Sequence, residues 1–327
     1  MTLLFVGDVM LGRLVNEVLK KEPSWYPWGD TLPIFQQVDL RICNLECVIS
    51  DWGTPWSTTP KMFHFRSDGK NVNVLKEAKI DIVSLANNHV LDFEYKALFS
   101  MLKTLDQSKI KHAGAGSNFR EASASAVTEV DGKRIGLIAF TDNEPEWEAT
   151  ENRPGVFYVP VNLHDERADI LFEIIKNIRK TVDLLIVSAH WGPNWGYYPP
   201  SEHVVFGKSL IDAGADIVFG HSSHVVRGIE TYRERPLLYS AGDFVDDYAV
   251  DEIERNDQSF IFVVETDFKK FHHLYLYPIV IRNFQAKFAK GKEKEEMISL
   301  MRGLCLDLGT ESIWDDKKNR IKIDLRQ

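Results

Sequence analysis

Apolar, strand-like runs that each close on a polar residue of metal-ligand type alternate with amphipathic stretches along this chain. The runs occupy residues 3–8, 40–46, 80–89, 184–190 and 217–224, and they end on Asp8, Glu46, Asn88-His89, His190 and the pair His221 and His224. Strand-to-helix alternation of this kind builds stacked βα units and so predicts an α/β sandwich. Loops leaving the carboxyl ends of such strands gather at one rim, where ligands bind. Polar residues scattered over more than 200 positions of sequence are therefore expected to meet in space.

Residues 11–19 follow Asp8 with helical spacing, and residues 93–105 follow His89 in the same way. Residues 192–200 are too rich in Gly, Pro and aromatics for a helix and read as a loop. Ser201 is then the expected N-cap of a helix over 202–213, with Gly214 as its stop. Residues 222–281 turn β-rich, at 225–232, 236–241, 259–265 and 273–281, which predicts a second, more antiparallel sheet. A late helix is expected within 287–308 and a last edge strand at 321–325, while 50–73 reads as a long covering loop. The expected organisation is one main domain, 1–285, with a helical and edge-strand extension, 286–327, packed on it.

Apolar content of 44% and charged content of 27% suit a folded globular enzyme. A net charge of -9 disfavours nucleic acid and anionic membranes as partners, since both select basic surfaces. No apolar stretch approaches the roughly 20 residues of a membrane span, so no membrane insertion is expected. Met1-Thr2 leads directly into the first strand without a visible leader, which makes the cytoplasm the expected location. The three cysteines, Cys43, Cys47 and Cys305, are too few and oddly spaced for a disulfide framework and read as buried thiols.

A divalent cation used for hydrolysis takes imidazole, carboxylate or amide donors and keeps positions open for water and substrate. Asp8, Glu46 and Asn88 offer oxygen, and His190, His221 and His224 offer nitrogen. Glu46 or Asp8 is the natural bridge between two ions, which such sharing holds roughly 3.5–4 Å apart. Donors of this mixture without thiolate favour Mn, Fe or Zn, with Mg as a substitute. Each residue also has an ordinary structural role: Asp8 can cap a helix, and Asn87-Asn88 can form a turn. Ligand-type residues at the end of every run outweigh those readings taken singly. His89, adjacent to Asn88, is placed for general acid work, with Asp92 to orient it.

The segments 5–13, 44–46, 86–92, 190–192, 220–226 and 239–244 resemble, in this order, the bacterial capsule-biosynthesis proteins of the poly-γ-glutamate synthesis family. That family belongs to the calcineurin-like metallophosphoesterase superfamily. The resemblance runs over about residues 2–248 and implies a four-layer αββα sandwich with one or two metal ions at the sheet rim. It implies Asp8 as the first metal aspartate, Glu46 as the bridging carboxylate, Asn88 as the amide ligand, and His190, His221 and His224 as the later histidines. His89 resembles the superfamily's non-ligand histidine that protonates the leaving group. Met10 stands where many phosphoesterases have a histidine, the last pair is spaced His-x-x-His, and Asp243 replaces a frequent Asn.

Substrate contacts are expected from Lys61 and Arg66 on one face of a strand, from Trp195 and Arg227, and from Asp243 at the rim. Gly114-Ala115-Gly116-Ser117 lacks a following Lys and reads as a turn rather than a phosphate loop. Together these features predict a metal-dependent hydrolase in which an activated water attacks a phosphoester or a related ester or amide. The substrate is expected to be an anionic small molecule, peptide or polymer, with a capsule synthase as a partner. Peptide-bond or α-proton chemistry on a carboxylate substrate, or a non-catalytic accessory role, fits the same residues.

Overall fold

Successive side chains of a strand point to opposite faces, so a strand apolar throughout must be covered on both. Thr2–Val9 is such a strand. In the computed structural model, which describes residues 1–326, its Leu4 and Val6 enter one core and its Leu3 and Phe5 another. A third core lies beyond the opposing sheet, where Ile138, Phe140, Leu185 and Val187 meet Leu171, Phe206 and Leu210 of two helices. Three cores between successive layers make a four-layer αββα sandwich. Phe5 and Phe219 touch across its middle with ring centroids 5.1 Å apart.

The larger sheet runs Ile313–Asp315, Arg320–Asp324, Phe271–Arg282, Gln258–Thr266, Thr2–Val9, Leu40–Leu45, Ile82–Ser84, Lys111–Ala113. It is parallel from Thr2–Val9 onward and antiparallel on the other side. The facing sheet runs Ile229–Tyr232, Arg235–Leu238, Ile217–His221, Leu184–His190, Lys133–Thr141, Ala126–Val130. Helices Arg13–Leu19 and Glu94–Gln107 cover the first sheet, and Glu166–Arg179 and Ser201–Ala213 the second. Gly214 ends the last of these at φ 125°, a conformation that suits glycine.

Residues 222–281 form no sheet of their own, contrary to the expectation from their β-rich composition. Ile229–Tyr232 and Arg235–Leu238 extend the smaller sheet, whereas Gln258–Thr266 and Phe271–Arg282 complete the larger one beside the first strand. Strand propensity reports a pleated, half-buried surface and says nothing about partner choice. Arg320–Asp324, expected at the edge, pairs on both sides, and Ile313–Asp315 is outermost. Helix Gly291–Asp307 places Met297, Met301 and Cys305 in the core between the sheets.

Within the larger sheet, glycine permits the first strand to approach closely the chain that leads into Asp243–Val245, its parallel neighbour. A Cβ on Gly7 would lie 1.8 Å from the Gly242 carbonyl oxygen, the group that accepts a hydrogen bond from the Asp8 backbone N–H at 3.0 Å. Gly7→Ala must push these strands apart, at a cost of about 1–3 kcal/mol for overpacking. Thermal denaturation of the variant checks this, and an unchanged midpoint would contradict the close approach.

Candidate metal centre

Parallel registry brings the expected ligands together. His190 and His221 are paired last residues of neighbouring strands. In the other sheet Asp8 lies in register with both Asn44 and Asp243, and Glu46 leaves the end of Leu40–Leu45. Asn88 and His89 follow Ile82–Ser84. His224 is reached by a turn with Ser222 at φ 99° and itself at φ 59°, uncommon backbone for non-glycine residues.

Ligand-type atoms of Asp8, His190 and His221 lie within 4.8 Å of one another, and so do those of Asp8, Glu46, His224 and Asp243. Asp8 is common to both groups, so this geometry gives it the sharing position. Asn88 Oδ1 is 3.0 Å from His190 Nε2 and adjoins the first group. Asp243, read from the sequence as a substrate contact, instead sits among the carboxylates, 3.0 Å from His224 Nδ1.

The electrostatics of this cluster are unusual. Asp8, Glu46 and Asp243 are all essentially fully buried, and Glu46 Oε2 and Asp243 Oδ2 accept no hydrogen bond. Burial drives the Asp8 carboxyl up to about 6 and the Asp246 carboxyl up to about 7. Glu46 and Asp243 are raised well above the ordinary range, first by burial and then by neighbouring carboxylates. Burial also keeps the imidazoles neutral, with His221 lowered to about 3 and His190 well below its usual value. Unpaired acceptors beside neutral imidazoles form a donor set that a divalent cation would satisfy, so the residues fit a metal ion.

Other side chains fix the candidate ligands. Asn44 Nδ2 donates to Asp8 Oδ1 at 2.7 Å, and the Ser222 backbone N–H donates to Asp8 Oδ2 at 3.3 Å. Ser188 Oγ lies 2.8 Å from His221 Nε2. Asn87 donates to Asn44 Oδ1 and to the Leu45 carbonyl, tying two strand ends together. Supporting contacts of this kind orient metal ligands. Met10 is buried, and its sulfur accepts from the Gly12 N–H at 3.0 Å.

His89 stands apart from both groups. Its Nδ1 is 2.6 Å from Asp92 Oδ2, its ring stacks on Phe65 at 3.9 Å, and its Nε2 faces Glu46 Oε1 at 4.0 Å. The cavity outside it, of about 570 Å³, is lined by Lys61, Phe63, Phe65, Trp195, His224 and Tyr248 among others.

The remaining expected substrate contacts fall differently. Residues 61–65 form no strand, since only Arg66–Ser67 pairs, so the alternating face expected there does not exist. Lys61 does reach the cavity, but its ammonium donates to the Asn88 carbonyl at 2.6 Å and to Glu144 at 2.9 Å and sits 3.5 Å from Asp92. Arg66 turns away, donating to the Gly53 carbonyl and lying over Phe93. Arg227 is only 1% exposed and donates to the carbonyls of Pro193, Trp195 and Gly196, so it braces the loop that carries Trp195. Trp191 is core, whereas Trp195 is on the cavity wall. Asp246 and Tyr248 beside the cluster were not singled out in the sequence. The acidic pair Asp246-Asp247, two residues after Phe244 and followed by Tyr248, is the signal the sequence holds for them.

The family model for the bacterial capsule synthesis protein PGA_cap matches residues 2–248. A relative from Mycobacterium tuberculosis, described as a probable polyglutamine synthesis accessory protein, is 37% identical over 250 residues, covering 74% of this chain and 65% of the relative. The capsule biosynthesis protein CapA of Bacillus anthracis is 28% identical over 253 residues, 76% of this chain and 60% of that protein. This chain thus spans less than two thirds of these relatives' length. In fold it is similar to a phosphatase from Mycoplasma pneumoniae, with TM-score 0.52 and 15% identity over 86% of this chain and 93% of that one. A hypothetical protein from Thermus thermophilus gives TM-score 0.50 and 15% identity, over 85% of this chain and 98% of that one. The matched region holds every residue of the cluster, and the chain belongs to the bacterial capsule synthesis protein PGA_cap family.

Proposed function

We propose that this chain is a metal-dependent hydrolase of the metallophosphoesterase type, acting on a phosphoester or a related ester or amide in the formation of poly-γ-glutamate. The observation that carries the reading is the pair of buried ligand groups sharing Asp8, with the His89–Asp92 pair on their open side. Asp8, His190 and His221, with Asn88, would hold one divalent ion, and Asp8, Glu46, His224 and Asp243 a second. Such ions supply Lewis acidity and lower the pKa of a bound water.

The chain's own residues do the rest. Asp92 accepts from His89 Nδ1, which fixes the imidazole and leaves Nε2 to move a proton toward or from the cavity. Phe65 stacks on that ring and holds its plane. Trp195 and Phe63 line the cavity outside it. No described helix is long and apolar enough to cross a membrane, and the name of the mycobacterial relatives supports a place beside a polymer synthase.

Elemental analysis of the native protein and of Asp8→Ala and His221→Ala, paired with turnover of bis(p-nitrophenyl) phosphate in Mn, tests the reading. Metal in the native protein, and loss of both metal and turnover in the variants, is the expected result. Absence of metal after Mn loading would overturn the site, and metal without turnover of any ester or amide would overturn the hydrolase.

A further inference from the structure

The cavity beside the cluster has a character of its own. Phe63 and Phe65 stack 6.4 Å apart at 25°, and Tyr248 continues that wall, its ring 5.7 Å from Phe65. Trp195 lies 6.0 Å from His224 and is 45% exposed, while Phe63 is 53% exposed. Large aromatics left this open around a concave site are a surface awaiting a planar or apolar group. The Tyr248 hydroxyl is buried without a partner. A buried donor without an acceptor loses its hydration uncompensated, and an anionic oxygen of a ligand at the cluster would satisfy it.

The charges around the cavity exclude another kind of ligand. Its cations are Arg13 and Lys61. Arg13 pairs with Asp247 at 3.3 Å and its guanidinium lies 5.6 and 5.5 Å from the Phe63 and Phe65 rings. Lys61 is occupied by Glu144 and the Asn88 carbonyl, and Glu144 itself lines the cavity. A polymer with a carboxylate on every residue needs a row of unpaired cations along its path. Here both cations already have carboxylate partners.

We infer that the cavity takes a compact ester or phosphonate-like anion whose organic group is flat and apolar, held between Trp195 and the Phe63–Phe65 wall, and that it does not take the polyglutamate chain. The inference rests on the proposed site but concerns ligand shape, so binding rather than turnover tests it. The Mn-loaded full chain is titrated calorimetrically with phenylphosphonate, methylphosphonate and a γ-glutamate hexamer. Phenylphosphonate is expected to bind about tenfold more tightly than methylphosphonate, the size of a good aromatic contact. Trp195→Ala and Phe63→Ala, both at exposed positions, are each expected to remove most of that preference, phenylphosphonate losing more affinity than methylphosphonate. The hexamer is expected not to displace phenylphosphonate.

Equal affinities for the two phosphonates, no binding of either by metal-loaded protein, or a phenyl preference untouched by both variants would overturn the inference. Tight binding of the hexamer would do so as well. A phenyl preference in a protein that hydrolyses nothing would instead leave the inference standing and remove the hydrolase reading.

Discussion

Replacing His89 by Gln lowers kcat by about 10²–10⁴-fold, the usual worth of a positioned acid or base, and leaves the metal content at the native level. The two effects separate because His89 belongs to neither ligand group, while its Nε2 is on the cavity side of Glu46. Its Nδ1 is committed to Asp92 at 2.6 Å, so Nε2 is the nitrogen free to exchange a proton with substrate. Asp92→Asn is expected to lower turnover too, but with a loss of stability, because Asp92 Oδ2 also accepts the Phe65 backbone N–H at 2.6 Å in a fully buried setting. Steady-state kinetics with elemental analysis of both variants decides the matter. A His89→Gln enzyme within a few-fold of native turnover would exclude a role in proton transfer, and one that had lost its metal would make His89 a support of the ligand shell.

The convergence of Asp8, Glu46, Asn88, His190, His221 and His224 was legible because a parallel strand carries its polar terminus to the same rim as its neighbours. Periodicity marks the apolar runs and helices, and Gly214 stops the helix Ser201–Ala213 as cap chemistry expects, but Ser201 is not its N-cap: Pro200 holds that position without a side-chain cap bond, and the Ser201 hydroxyl donates to Glu202 instead. What periodicity lacks is pairing information. Thr2–Val9 and Gln258–Thr266 hydrogen-bond as neighbours although more than 200 residues separate them, and nothing local in either strand states it. The 222–281 segment for this reason reads as one sheet and is divided between two.

Side-chain direction was the other quantity hidden in the sequence. Arg227 and Arg66 carry the right charge for an anionic substrate, yet loop carbonyls claim both guanidinium groups. Asp243 reads in sequence as one residue after a Gly, and only its register with Asp8 places it among the candidate ligands. A lysine or arginine near a motif therefore says little until its hydrogen-bond partners are known, whereas a histidine ending a buried strand already implies its direction.

Stripped of metal, the protein is expected to lose stability as the pH rises from about 6.5 to 8, and with Mn present that loss disappears. Below that window two sets of groups oppose each other. The buried histidines stay neutral in the fold, His221 down to about 3, while the unfolded chain protonates them, so their contribution improves as pH rises to about 6.5. Above 6.5 that improvement fades, as the unfolded imidazoles become mostly neutral, and the carboxyls remain. Asp246 is pushed up to about 7, and Glu46 and Asp243 are raised well above their ordinary values.

The unfolded chain has released those protons by about pH 5 and the fold has not. The folded state therefore binds more protons, and stability falls as pH passes the raised values, by at most about 1.4 kcal/mol per pH unit for each carboxyl still protonated. A cation reverses the balance, because it binds these oxygens ionised and expels their protons. At a thousandfold excess over its Kd it adds about 4 kcal/mol, and its effect on the unfolding temperature should be larger at pH 8 than at pH 6.5. Scanning calorimetry in EDTA and in Mn at the two pH values measures both quantities. Equal increments at both would mean that these carboxylates are not what the metal binds.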